Sequence, residues 1–271
     1  MHLQNLKVYV VNLDRRPDRW EIASKTLKRA GFTNVERVPA IDGKLIDSQQ
    51  LKKLVSPSVY STLGKVRKNH EDLGSVGAVG CYLSHYKVWN QIIESNEPAI
   101  VVEDDLLCHP LLNEFELSKD ANPLKNFDFV LLASELRERN LLPGPNTQGV
   151  YPYHGMFFQT HFYYLTPQGA QFFSSGALPI AHQVDAYMSF KIKQFPEFRS
   201  AVHLPNMATQ SDSTTDIQTM MDGGIIPLAH VWVALHRNVG HSSVVCGLIY
   251  GTVCLLLFYI LAKMIQIVVR D

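Results

Sequence analysis

The sequence predicts an α/β fold in which helices sandwich a sheet, and three observations predict it. Stretches that read as strands buried on both faces stand at residues 6–13 (LKVYVVNL) and 98–107 (PAIVVEDDLL), the second with Ile100, Val101 and Val102 β-branched and unbroken. A helical pattern precedes the second run: over 79–95, Tyr82, Tyr86, Trp89 and Ile93 recur at helical spacing. Strands alternating with helices favour a layered sandwich over a bundle.

The chain has 271 residues, enough for one good-sized domain and a tail. Lys plus Arg number 25 and Asp plus Glu number 25, so charge does not point to nucleic acid. Of four cysteines, Cys246 and Cys254 fall in an apolar run, which implies no disulfide framework. A Cys81–Cys108 bridge stays open, and neither CxxC nor a metal-type Cys/His spacing is expected here.

The elements follow in order. After the first strand, residues 14–18 form a loop and Pro17 suits a first helical turn. A helix over 19–30 puts Trp20, Ala23, Leu27 and Ala30 on one face and stops at Gly31. Residues 35–40 read as a second strand and Asp42-Gly43 as a turn. Residues 51–74 are polar and mixed and read as a surface excursion. Gly74, Gly77 and Gly80 match no phosphate-loop pattern; they let the next helix start against another backbone. Its aromatics read as core. Further strands are expected over 126–133, 157–165 and 198–204, short helices over 167–173 and 185–193, and a loop over 141–152. No internal repeat is present.

The stretch that organises the chain is the strand ending in Glu103, Asp104 and Asp105. Three adjacent carboxylates repel, and a buried strand delivers them to a sheet edge of the kind that binds ligands. A divalent cation is their natural partner; a solvated acidic turn is the plain alternative.

The tail differs from the rest. Residues 244–262 (VVCGLIYGTVCLLLFYILA) carry no charge. At ~1.5 Å each they span ~29 Å, the thickness of a hydrocarbon core. A C-terminal transmembrane anchor is expected there. Residues 1–7 are mixed and polar and do not read as a signal peptide, so the catalytic part is expected in the cytoplasm. The expected organisation is a domain over 1–215, a linker or interfacial segment over 216–241 and an anchor over 242–271.

Several motifs now carry a resemblance: VYVVNLDRRPDRW (8–20), AIDG (40–43), GAVGCYLSHYKVW (77–89) and IVVEDDLL (100–107). With YYLTPQGAQFF (163–173), QVDAYM (183–188) and the region 210–213, this ordered set resembles glycosyltransferase family 25. That family holds lipooligosaccharide-type galactosyltransferases of lipopolysaccharide biosynthesis and relatives that act on collagen. Ala78 departs from it, standing where the family usually has Glu.

The resemblance implies a GT-A-like, Rossmann-type mixed sheet and a nucleotide-sugar donor, usually UDP-galactose. It also implies a divalent metal, usually Mn2+, and inversion at the anomeric carbon. The acceptor would be a glycan, lipid-linked or protein-linked. The acidic signature falls on Glu103, Asp104 and Asp105. Asp105 is the first choice of metal ligand. Asp104 is a second ligand or acts through water, and Glu103 holds the ribose or the loop. His203 and Gln210 are candidates for a third ligand. Asp185 matches an aspartate of the family and is either the base that deprotonates the acceptor or a helix cap. Glu103 and Asp212 come next as bases. Asn12 meets the nucleobase or braces its turn. Arg19 meets the diphosphate or forms a surface ion pair, with Arg15 and Arg16 behind it. Ser84 and His85 are donor-pocket groups or a core pair. Two other classes stand beside sugar transfer: an inactive membrane-tethered relative that binds nucleotide sugar or glycan, and a metal-dependent phosphohydrolase. The second lacks a nucleophile placed beside the acids.

Overall fold

The structure is a computed structural model that describes residues 3–67, 69–109, 123–137 and 149–211. All belong to the first of two units, residues 1–221.

Apolar strands and amphipathic helices alternate as the pattern predicts. β1 (Lys7–Asn12) leads to α1 (Pro17–Arg29), which has Pro17 in its first turn, and to β2 (Val35–Pro39). The short helices α2 (Ser48–Leu54) and α3 (Pro57–Thr62) precede α4 (Val76–Ser95). β3 (Ala99–Glu103) follows, then the short β4 (Leu106–Cys108). β5 (Phe129–Leu136), β6 (Val150–Pro152) and β7 (Phe157–Leu165) come next. α5 (Pro167–Ser174), α6 (Val184–Gln194), β8 (Ser200–His203) and β9 (Ala208–Gln210) complete the described part.

Seven strands form one mixed sheet in the order β2-β1-β3-β7-β5-β8-β6. β1 runs parallel to β2 and to β3, whereas β7 is antiparallel to both β3 and β5. One face packs on α1, with Ala23 and Leu27 against Val8, Val10, Ile100 and Val102. The other face packs on α4, α5 and α6, with Tyr82, Trp89, Phe173 and Met188 against Tyr9, Val101 and Tyr163. Tyr82 and Trp89 are wholly buried, so the aromatics of α4 are core, as their spacing predicts. Burying each such ring contributes on the order of 2 kcal/mol or more.

The chain visits opposite faces on its two crossovers beside β1. α1 links β1 to β2 on one face, and α4 links β2 to β3 on the other. Beside β1 the two crossovers thus lie on opposite faces of the sheet, a topological switch point, where open α/β sheets leave a crevice.

One expectation is corrected. Residues 51–74 are not an open excursion. Asp47 accepts from Gln49 N and Gln50 N, Ser56 accepts from Val59 N, and the capped helices bury Leu51, Val55 and Val59. Those three recur every fourth residue, a stripe that the surrounding lysines and Pro57 conceal. The fold also has a ribbon that no local pattern announces: β4 pairs with β9, Leu106 opposite Gln210. The bridge left open between Cys81 and Cys108 is not formed: both are free thiols.

Among the described residues, no helix is long and apolar enough to cross a membrane. The expected anchor at 244–262, the linker at 216–241, Asp212 and most of the 141–152 loop lie outside the described residues.

Candidate active site at the switch point

The site begins with two glycines. A Cβ on Gly43 would lie 1.7 Å from Val76 O, and one on Gly80 would lie 2.4 Å from Ile41 O. Only glycine lets the turn after β2 sit directly on the first turns of α4. Ser84 seals the contact, accepting from Ile41 N at 2.8 Å and donating to Gly80 O at 2.7 Å. An open cleft of about 690 Å³ results. Its lining includes Arg15 and Arg19 after β1, the Ala40–Lys44 turn, Cys81, Ser84 and His85 of α4, and Glu103, Asp104 and Asp105.

The three acids have three different surroundings. Asp104 points toward α1, and both its oxygens are engaged: Asn12 Nδ2 donates to Oδ2 at 2.7 Å and Arg19 Nη1 to Oδ1 at 3.0 Å. Burial raises its pKa, and those two donors counter the rise. Asn12 is itself fully used. Its amide also donates to Arg16 O, and its Oδ1 accepts from Arg37 Nε at 2.7 Å.

Glu103 turns to the α4 side. Thr160 Oγ1 donates to its Oε1 at 3.2 Å, and His85 Nε2 lies 3.4 Å from the same oxygen. Burial alone would raise this carboxyl, but His85, His161 and Thr160 together bring it below the usual range. Asp105 has less help, from the Arg19 charge and its own backbone N–H. Its Oδ1 is buried without a hydrogen-bond partner. Burial, then the charges of Glu103 and Asp104, push its pKa up to about 7. A buried carboxylate oxygen with no donor is what a hard divalent cation would complete, so the residues present fit such an ion at Asp105.

Ser211 N donates to Asp105 O at 2.8 Å, so the β4–β9 ribbon brings Gln210 beside the acidic turn. His203 is on β8 with Nδ1 2.8 Å from Pro205 O, and it is not among the cleft's lining residues. Asp185 does not line the cleft either. Its Oδ1 accepts from Ala186 N at 2.7 Å and its Oδ2 from Gln159 N at 3.2 Å. Gln159 holds a left-handed φ of 70° on β7, one residue from Thr160. Burial raises the Asp185 pKa, against the pull of those backbone donors. Arg15 is paired with Asp42 at 2.7 Å on the cleft wall, and Arg16 is paired with Asp18 outside it.

The residue that sequence reasoning passes over is Cys81. Its Sγ, a His85 ring nitrogen and a Glu103 oxygen all lie within 4.8 Å of one another. Cys81 and His85 are four apart on α4 and so share a face; that spacing is the signal that sequence reading overlooks.

A 24% identical Drosophila melanogaster protein named glycosyltransferase 25 family member aligns over 167 residues, 60% of this chain and 27% of the relative. An Aedes aegypti protein of the same name is 29% identical over 45% of this chain and 20% of its own length. Human procollagen galactosyltransferase 2 is 35% identical over 37% of this chain and 16% of its own length. The chain thus spans less than a third of each of these three relatives. The family described as glycosyltransferase family 25 (LPS biosynthesis protein) matches residues 5–188, more than half the chain and every element that lines the cleft. The chain belongs to glycosyltransferase family 25.

Proposed function

We propose that this chain transfers a hexose, galactose first among them, from a UDP-sugar to a hydroxyl of a glycan, lipid-linked or protein-linked acceptor. Inversion, the GT-A type of fold and the use of Mn2+ are carried by the resemblance. The observation that supports the reading most is the unpartnered Asp105 oxygen in a cleft at the switch point of a family 25 sheet.

Asp105 would hold a divalent cation, which would supply Lewis-acid stabilisation of the charge on a departing diphosphate. The chain's own residues do the rest. Asn12 and Arg19 fix Asp104, and with it the turn that aims Asp105. Lys44 adds positive charge to the cleft wall for a polyanionic donor, beside the Arg15–Asp42 pair. Ser84 holds the turn over 40–43 in place. Asp104 supports the site through its two bonds and is a weaker ligand candidate than Asp105. Asp185 is read as a brace: it orders α6 and holds Gln159 in its left-handed conformation, next to the Thr160 that bonds Glu103.

Residues 244–262 are proposed as a membrane anchor, since one helix of that length and apolarity satisfies its own backbone in lipid.

The experiment is incubation with a panel of UDP- and GDP-sugars, with and without Mn2+, reading nucleotide release and sugar transfer. UDP-galactose with Mn2+ is expected to give both. Binding of the donor without release would make the chain an inactive binding relative.

A further inference from the structure

Cys81, His85 and Glu103 form a second cluster, on the α4 side of the cleft. Three potential ligand atoms of different kinds, a thiol sulfur, an imidazole nitrogen and a carboxylate oxygen, lie within 4.8 Å of one another. His85 is wholly buried and its Nε2 has no hydrogen-bond partner. It stands 3.4 Å from Glu103 Oε1. Ligands at ~2.1 Å on a tetrahedral centre are ~3.4 Å apart, so this nitrogen and oxygen already have the spacing of one edge of such a centre. The other ring nitrogen is braced from behind. His85 Nδ1 is 2.9 Å from the Tyr163 hydroxyl, which accepts from Trp89 Nε1 at 3.0 Å. Metal-binding histidines are oriented in this way by a partner on the far nitrogen.

We propose that Cys81, His85 and Glu103 bind a zinc-type cation, with its fourth position open to the cleft. The donor set selects the ion. A thiolate and an imidazole suit zinc or cobalt and suit manganese or magnesium poorly, whereas Asp105 offers only oxygen. The cleft thus holds two sites of different softness. Binding replaces the S–H bond of Cys81 with a sulfur–metal bond, and the proton leaves to solvent. The inference does not rest on sugar transfer, because it is read with no donor present.

The test is titration of the full, chelator-stripped chain with Co2+, followed by absorbance. Wild type should develop a thiolate-to-cobalt charge-transfer band that added Zn2+ abolishes. Cys81→Ser should lose the band although Cys108, Cys246 and Cys254 remain. Tyr163→Phe, which leaves the ligands in place, should weaken cobalt binding by ~10- to 100-fold. Cobalt should also shield Cys81 of the wild-type chain from alkylation, mapped by mass spectrometry, a measurement that needs no variant. Absence of the band in wild type, its survival in Cys81→Ser, or unshielded Cys81 at saturating cobalt would each overturn the proposal.

Discussion

Asn12 and Asp104, 92 residues apart in sequence, are joined by a 2.7 Å hydrogen bond that ties the end of β1 to the turn after β3. Asn12→Ala removes a donor from a buried carboxylate and leaves Arg37 Nε without its acceptor. The expected loss is ~1–3 kcal/mol, seen as a lower urea midpoint with unchanged slope. An unchanged midpoint would mean that Asp104 is held by Arg19 alone.

Gly80→Ala tests the backbone contact that shapes the cleft. The added methyl would lie 2.4 Å from Ile41 O and 2.6 Å from Gly43 N, both backbone atoms that cannot swing away. A destabilisation of ~1–3 kcal/mol is expected, with loss of donor binding because the turn over 40–43 must lift. Wild-type stability and donor affinity in the variant would show that the contact is slack.

How much of this was legible in the sequence depends on the range of the interaction. The strand at 99–103 and the aromatic face of α4 follow from local periodicity, and both are where the pattern puts them. The β4–β9 ribbon pairs Leu107 with Thr209, and nothing near either residue announces the other. Leu51, Val55 and Val59 did carry a helical stripe, but the lysines between them and Pro57 read as solvent-facing. Asn12, Arg19, Ser84 and His85 each had a structural and a ligand reading from sequence alone. What bears on that choice is the set of partners each one meets, and those come largely from distant strands and turns. The Cys81–His85 spacing was visible on one helix; its third member, Glu103, comes from a strand.

Asp185→Asn separates brace from base. A neutral amide still offers one oxygen acceptor but cannot serve both backbone donors, so a drop in melting temperature worth ~1 kcal/mol is expected. Turnover below the melting range should stay near normal. A loss of ~10²- to 10⁴-fold in rate at unchanged stability would instead make Asp185 the general base.

Asp105 makes a pH-dependent prediction for the metal-free chain. Its pKa rises from 3.8 to about 7 on folding, first through burial and then through Glu103 and Asp104. The folded state then holds this proton more tightly than the unfolded state. Stability is therefore lost as pH climbs between those two values and stays lost above the upper one. In chelator at about pH 8, Asp105→Asn should be more stable than wild type by ~1–4 kcal/mol. Below about pH 4 the difference should vanish, since the wild-type acid is then protonated in both states. An Asn variant that is less stable at the higher pH would mean that the carboxylate has a donor of its own.

The most direct test of the account is UDP release from UDP-galactose by wild type and by Asp105→Asn, each with Mn2+ and with chelator. Metal-dependent release is expected in wild type. In the folded variant a fall of roughly a hundredfold or more is expected, the equivalent of ~3 kcal/mol of transition-state stabilisation. Release that ignores the metal, or an Asp105→Asn variant that turns over as wild type does, would contradict it.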